Sequence, residues 1–116
     1  MGIITQICKK RDAQLRYVKT MALAEANYIA RLLVEKFKAG QVVLYGSLAE
    51  SKYFDEASDI DLAVKGMGDD YLRAYGYCLR TSEFPLDIRV YEELPVNLKS
   101  KIDKEGICLY EKKRKI

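Results

Sequence analysis

No histidine occurs anywhere in these 116 residues. That absence excludes the Ser-His-Asp triad, the Cys-His nucleophile, the H-E-x-x-H zinc site and every imidazole general base. Any metal must then be held by oxygen ligands, which suits Mg²⁺ or Mn²⁺ rather than zinc. Cysteine is scarce and odd in number: Cys8, Cys78 and Cys108 stand far apart, and no C-x-x-C pair exists. With no signal peptide in "MGIITQICKKR", this favours buried thiols in a reducing cytoplasm. No run approaches the ~18 apolar residues that span a bilayer, so no membrane partner is expected. Internal repeats, low-complexity segments and Pro/Gly/Ser linkers are also missing.

What remains describes one globular domain over residues 1–116. The hydrophobic fraction is 49% and the charged fraction 32%, which is too apolar for a disordered chain. A net charge of +3 with both signs interspersed does not by itself call for nucleic acid, and the basic tail "EKKRKI" reads as a solvated terminus.

Residues 1–40 read as a helical segment. Leu15, Val18, Ala22, Ala26, Ile29, Leu33 and Phe37 recur at three- and four-residue steps, and Gly40 is a fitting stop. Tyr17 and Tyr28 fall off that face and are surplus apolar surface. Residues 41–116 read as a sheet with helices. "QVVLY" and "DIDLAVKG" are strands, the second closed by a turn through Gly66 and Gly68. Asp69 is placed to cap a helix over "DDYLRAYGYCLR". Pro85 opens the strand "PLDIRVY", "PVNLKSKIDKEG" is a short helix ending at Gly106, and "ICLY" is a last strand. The order α, β, β, α, β, α, β predicts a small α/β fold, a sheet with helices packed against it.

The chemistry concentrates in "VVLYGSLAESKYFDEASDIDLAV", Val42 to Val64. Strand alternation puts Asp59, Asp61 and Ala63 on one face and Ile60, Leu62 and Val64 on the other. In "PLDIRVY" the same split puts Asp87 and Arg89 opposite Leu86, Ile88 and Val90. If the two strands are neighbours, three carboxylates converge, and like charges that close require a cation between them. Three aspartates form a hard-oxygen site for one or two divalent metals, an arrangement that phosphoryl transfer uses. At the end of "VVLY", Gly46 allows a tight turn, and a helical turn after it would aim backbone N–H groups and the Ser47 hydroxyl at a phosphate. Arg89 shares the face of Asp87 and is expected to pair with it.

The ordered set "LYGSLAESKYFDEASDIDLAV", "LDIRVYEELP" and "IDKEGICLY" resembles the minimal nucleotidyltransferases, small members of the DNA polymerase beta superfamily. The resemblance covers most of Val42 to Tyr110 and implies a mixed β-sheet flanked by helices. By position it implies that Gly46 and Ser47 bind the triphosphate of ATP or another nucleoside triphosphate. Asp59 and Asp61 would hold Mg²⁺ or Mn²⁺, and Asp87 would complete the site and help activate the incoming hydroxyl. One departure stands out: where family members often read G-S-x-A-R-G, this chain reads "GSLAES", so Glu50 replaces an arginine. Small chains of this family are often antitoxins paired with a helical HEPN-type protein, some of which they modify on a tyrosine. The resemblance therefore implies transfer of a nucleoside monophosphate, by default AMP, to a hydroxyl on such a partner. Two alternatives stand beside it: a binding module that neutralises its partner by covering it, and a homo-oligomeric small-molecule nucleotidyltransferase of the aminoglycoside-modifying sort.

Overall fold

A computed structural model of the chain describes residues 2–113, with side chains from Lys10 onward. Cys8 and the last three residues of the basic tail lie outside the described side chains. Helix α1 (Gly2–Glu35) turns Ala22, Ala26, Ile29, Ala30 and Leu33 into a stripe with no solvent exposure. It does not stop at Gly40. Lys38 adopts the left-handed conformation (φ 63°), the Lys38 N–H donates to Val34 (3.1 Å) and the Ala39 N–H to Leu33 (2.9 Å). The Lys38–Val34 bond is the αL form of helix closure, with a lysine where glycine is commoner. Gly40 serves the sheet instead, where its N–H donates to the Lys65 carbonyl at 2.8 Å, an approach that a Cβ would crowd at 3.2 Å.

Strands β1 (Gln41–Tyr45), β2 (Ile60–Lys65), β3 (Leu86–Val90) and β4 (Ile107–Glu111) form one sheet in the order β3-β2-β1-β4. β1 runs antiparallel to both β2 and β4, whereas β2 and β3 are parallel. A parallel pair needs a crossover, and helix α2 (Tyr71–Thr81) supplies it. Asp69 does not cap α2. Asp70 occupies the cap position without a side-chain cap bond, and its carboxylate turns instead to Arg73 at 3.2 Å. A single 3₁₀ turn (Tyr91–Glu93) leads to helix α3 (Val96–Glu105), which ends at Gly106 as the sequence predicts.

Strand alternation divides the core. Val42, Leu44, Ile60, Leu62, Val64 and Ile88 are buried against α1 and α2. On the opposite face, Val43 and Ala63 pack on Ile102 of α3, with Tyr45, Tyr91, Leu94 and Leu98 around them. α3 therefore covers only part of this second face. The rest, at the Tyr45 end of β1, is where the polar side chains of β2 and β3 emerge.

At the far edge, β3 is closed by two tyrosines of α2. Tyr71 donates to the Ile88 carbonyl and Tyr75 to the Leu86 carbonyl at 3.0 Å. These carbonyls belong to alternate residues on the side away from β2, so the hydroxyls satisfy acceptors that an edge strand otherwise offers to another chain.

Candidate active site

The parallel register of β2 and β3 sets Asp61 directly beside Asp87, and the antiparallel register of β1 and β2 sets Tyr45 on the other side of Asp61. Three neighbouring strands thus carry Asp87, Asp61 and Tyr45 in one row across the partly uncovered face. Asp59 is an exposed residue just ahead of β2 rather than part of the strand, because pairing begins at Ile60, whose N–H donates to the Pro85 carbonyl at 2.9 Å. It remains near enough for its charge to act on Asp61.

The Asp61 carboxyl is pushed up to about 6, first by burial and then by the charges of Asp87 and Asp59, with Arg89 pulling the other way. Tyr45 is pushed up to about 12 by burial and by Asp61, so its phenol keeps its proton at neutral pH. Asp87 is paired with the Arg89 guanidinium at 3.2 Å on the same strand face, as the alternation predicts.

The turn after β1 closes on this row. Gly46 has φ +77°, a conformation that side chains with a Cβ rarely adopt, and a Cβ built there would collide with a carboxylate oxygen of Asp61. Backbone and carboxylate are therefore in direct contact. Ser47–Ser51 makes one helical turn, with the Glu50 N–H donating to the Gly46 carbonyl (3.0 Å) and Ser51 left-handed at φ 56°. The leading N–H groups of such a turn have no acceptor within it and are available to an anion.

Glu50, where the sequence departs from the pattern it resembles, is only 17% exposed and lies between two lysines, Lys52 at 3.4 Å and Lys101 of α3 at 3.6 Å. Burial alone would raise its carboxyl, but the adjacent Lys52 and Lys101 ammonium groups hold it below the usual range. It borders a cleft of about 150 Å³ beside Gly46, walled by Tyr45, Leu98 and Ile102.

The donor set suits a hard divalent cation: carboxylates on paired strands, one of them raised by burial and by its neighbours' charge. Among the described residues, however, no three His, Cys, Asp or Glu side chains are gathered tightly enough to hold a metal. Asp59 stands out in solvent and Asp87 is turned to Arg89. The sequence pattern does not single out Tyr45 or Lys101. The period of β1 puts Tyr45 on the face of Val43, but its place beside Asp61 follows only from the β1–β2 register. The two thiols described also differ from each other. Cys78 is buried and pushed up to about 11, whereas Cys108 is exposed, contrary to the expectation of buried thiols.

A family model described as polymerase beta nucleotidyltransferase matches residues 27–115, well over half the chain. The chain belongs to this family. No curated protein matches it. Among solved structures, a toxin–antitoxin complex with AMP-PNP superposes with a TM-score of 0.61 at 17% identity, over 74% of this chain and 73% of the other. An MntA–HpeT toxin–antitoxin complex carrying two aspartate-to-glutamate substitutions two positions apart gives 0.59 at 18% identity, over 75% and 73%. A Sulfolobus solfataricus protein assigned as a nucleotidyltransferase gives 0.52 at 16% identity, over 84% and 87%. The chain therefore has the minimal nucleotidyltransferase fold: a mixed four-stranded sheet flanked by helices, with a long N-terminal helix. No helix among the described residues is long and apolar enough to cross a membrane.

Proposed function

We propose that this chain is a metal-dependent nucleotidyltransferase that moves AMP from ATP to a hydroxyl of a partner protein, acting in the cytoplasm as an antitoxin. The contact of Gly46 with Asp61 is the observation that carries this reading. It joins a turn suited to phosphate to a carboxylate row suited to the cations that accompany phosphate. Two of the similar structures are toxin–antitoxin complexes, one with AMP-PNP, which supports a nucleotide substrate and a toxin partner, here taken as a helical HEPN-type protein.

In this mechanism the N–H groups of the Gly46–Ser47 turn and the Ser47 hydroxyl hold the triphosphate. Asp59, Asp61 and Asp87 would hold Mg²⁺ or Mn²⁺, which when bound neutralises developing charge and acidifies the attacking hydroxyl. The acceptor oxygen bonds to the α-phosphorus, the bond to the β-phosphate oxygen breaks, and pyrophosphate leaves. Asp87 takes the hydroxyl proton, and Arg89, already its ion-pair partner, orients it. Tyr45 keeps its proton and stands beside Asp61 in the row.

The test is transfer of α-³²P label from ATP into a lysate of the source cells. A single labelled protein band is expected, reduced to background by EDTA or by Asp59→Asn. Label that survives Asp59→Asn overturns the reading. A second reading, neutralisation by covering the partner without chemistry, draws on the Asp87–Arg89 pair and on Glu50 beside the phosphate turn. It predicts a complex that forms equally with or without ATP, and with Asp59→Asn, while no label moves.

A further inference from the structure

The outer face of α1 carries a second apolar stripe that the fold does not use. Tyr17, Met21, Ala24 and Tyr28 follow one another at steps of four, three and four residues, the heptad step of a two-stranded seam. Tyr17 is 65% exposed, Met21 42% and Tyr28 49%, and Ala24 is also exposed. At 3.6 residues per turn the stripe lies roughly 140° around the helix from the buried one.

We propose that this seam pairs two copies of the chain through antiparallel α1 helices. Its steps read the same in both directions. A two-fold axis passing between Met21 and Ala24 sets Met21 against the partner's Ala24 and Tyr17 against the partner's Tyr28. A large side chain then meets a small one in the central layers, the alternation that fills space between facing helices. The polar layers outside agree with the same axis. The Gln14 amide N–H donates to Glu56 at 3.3 Å, so the Gln14 carbonyl is left to accept from the partner's Arg31. Lys10 meets the partner's Glu35, whose carboxylate also accepts from Arg31 (3.1 Å) and Tyr110 (2.7 Å) within its own chain.

A parallel pair would instead set lysine on lysine and arginine on arginine, with Ala24 facing its own copy across a void. Charge and volume therefore both select the antiparallel arrangement. The seam from Lys10 to Glu35 covers about 38 Å of helix, more than three heptads. Because α1 packs on the sheet face opposite Asp61 and Asp87, the pair leaves both carboxylate rows facing outward. The proposal therefore does not depend on the chain having nucleotidyltransferase activity.

Sedimentation equilibrium of the full chain at tens of micromolar is the first measurement. The expected mass is twice the 13.3 kDa of one chain. Tyr17→Glu with Met21→Glu, both at exposed positions, is expected to give monomers with unchanged helical circular dichroism. A wild-type monomer throughout this range overturns the proposal, as does a dimer that survives the double substitution. Orientation is read in a Cys8→Ser, Cys108→Ser background by mixing a Met21→Cys chain with an Ala24→Cys chain under mild oxidation. The antiparallel seam predicts the mixed disulfide. Efficient linkage of Ala24→Cys chains to one another would show parallel helices and refute the arrangement.

Discussion

At the scale of single residues, the site rests on a conflict that glycine resolves. Gly46 must turn left-handed and must also leave room for the Asp61 carboxylate, and neither demand tolerates a Cβ. Gly46→Ala is expected to cost about 1–3 kcal/mol, readable by urea denaturation, and to remove nucleotide transfer. Adding Asp61→Ala should recover part of the stability by removing the collision while leaving the strained φ. Asp61 is itself a destabilising group. Its folded pKa of about 6 lies above the ordinary 3.8, so the folded chain holds this proton more tightly than the unfolded chain does. The stability it contributes is present in full below the unfolded value and is lost as pH rises through about 6. Asp61→Asn is therefore expected to match the wild type near pH 4 and to exceed it at pH 7. The gain is on the order of 1 kcal/mol, reduced from the full shift because the carboxyl is only half-buried. Parallel unfolding curves for the two proteins across that range, with no growing difference, would contradict this account. Such a cost at Asp61 is what the proposed cation site predicts.

Among the elements, the two edges of the sheet are treated differently. β3 is sealed by Tyr71 and Tyr75, which stand one turn apart on α2 and reach two successive outward carbonyls. Tyr71→Phe and Tyr75→Phe should each cost about 1 kcal/mol, since each leaves a partly buried acceptor without its donor. Both substitutions should also speed amide exchange along β3, and a change confined to α2 would argue against an edge seal. The sequence shows that the two tyrosines share a helix face. It does not show that this face meets β3, because that contact depends on the crossover between two strands that pair in parallel. The end of α1 follows the same rule. Gly40 is the obvious stop, but the backbone bonds from Lys38 to Val34 and from Ala39 to Leu33 close the helix earlier with Lys38 left-handed, and Gly40 serves the approach to Lys65.

For the whole molecule, one sheet separates two kinds of surface. α1 and its exposed seam lie on one side, and the carboxylate row lies on the other beside α3. Tyr17→Glu with Met21→Glu is accordingly expected to change the state of association while leaving label transfer within about two-fold of wild type. Loss of transfer in that variant would show that the two surfaces are coupled. Much of this plan is legible in the sequence, because helix and strand periods are local. The order of elements, the buried stripe of α1, the shared face of Asp87 and Arg89 and the pairing of apolar alternation with acidic alternation all follow from residues a few positions apart. The absence of histidine, with three cysteines scattered and no C-x-x-C pair, likewise favours oxygen ligands for any metal before any fold is known. Other features needed the folded chain, because they join residues distant in sequence. Register placed Tyr45 beside Asp61, strand pairing began only after Asp59, and Lys101 came from α3 to meet Glu50. Periodicity decides which way a side chain points, but only tertiary packing decides what it meets there.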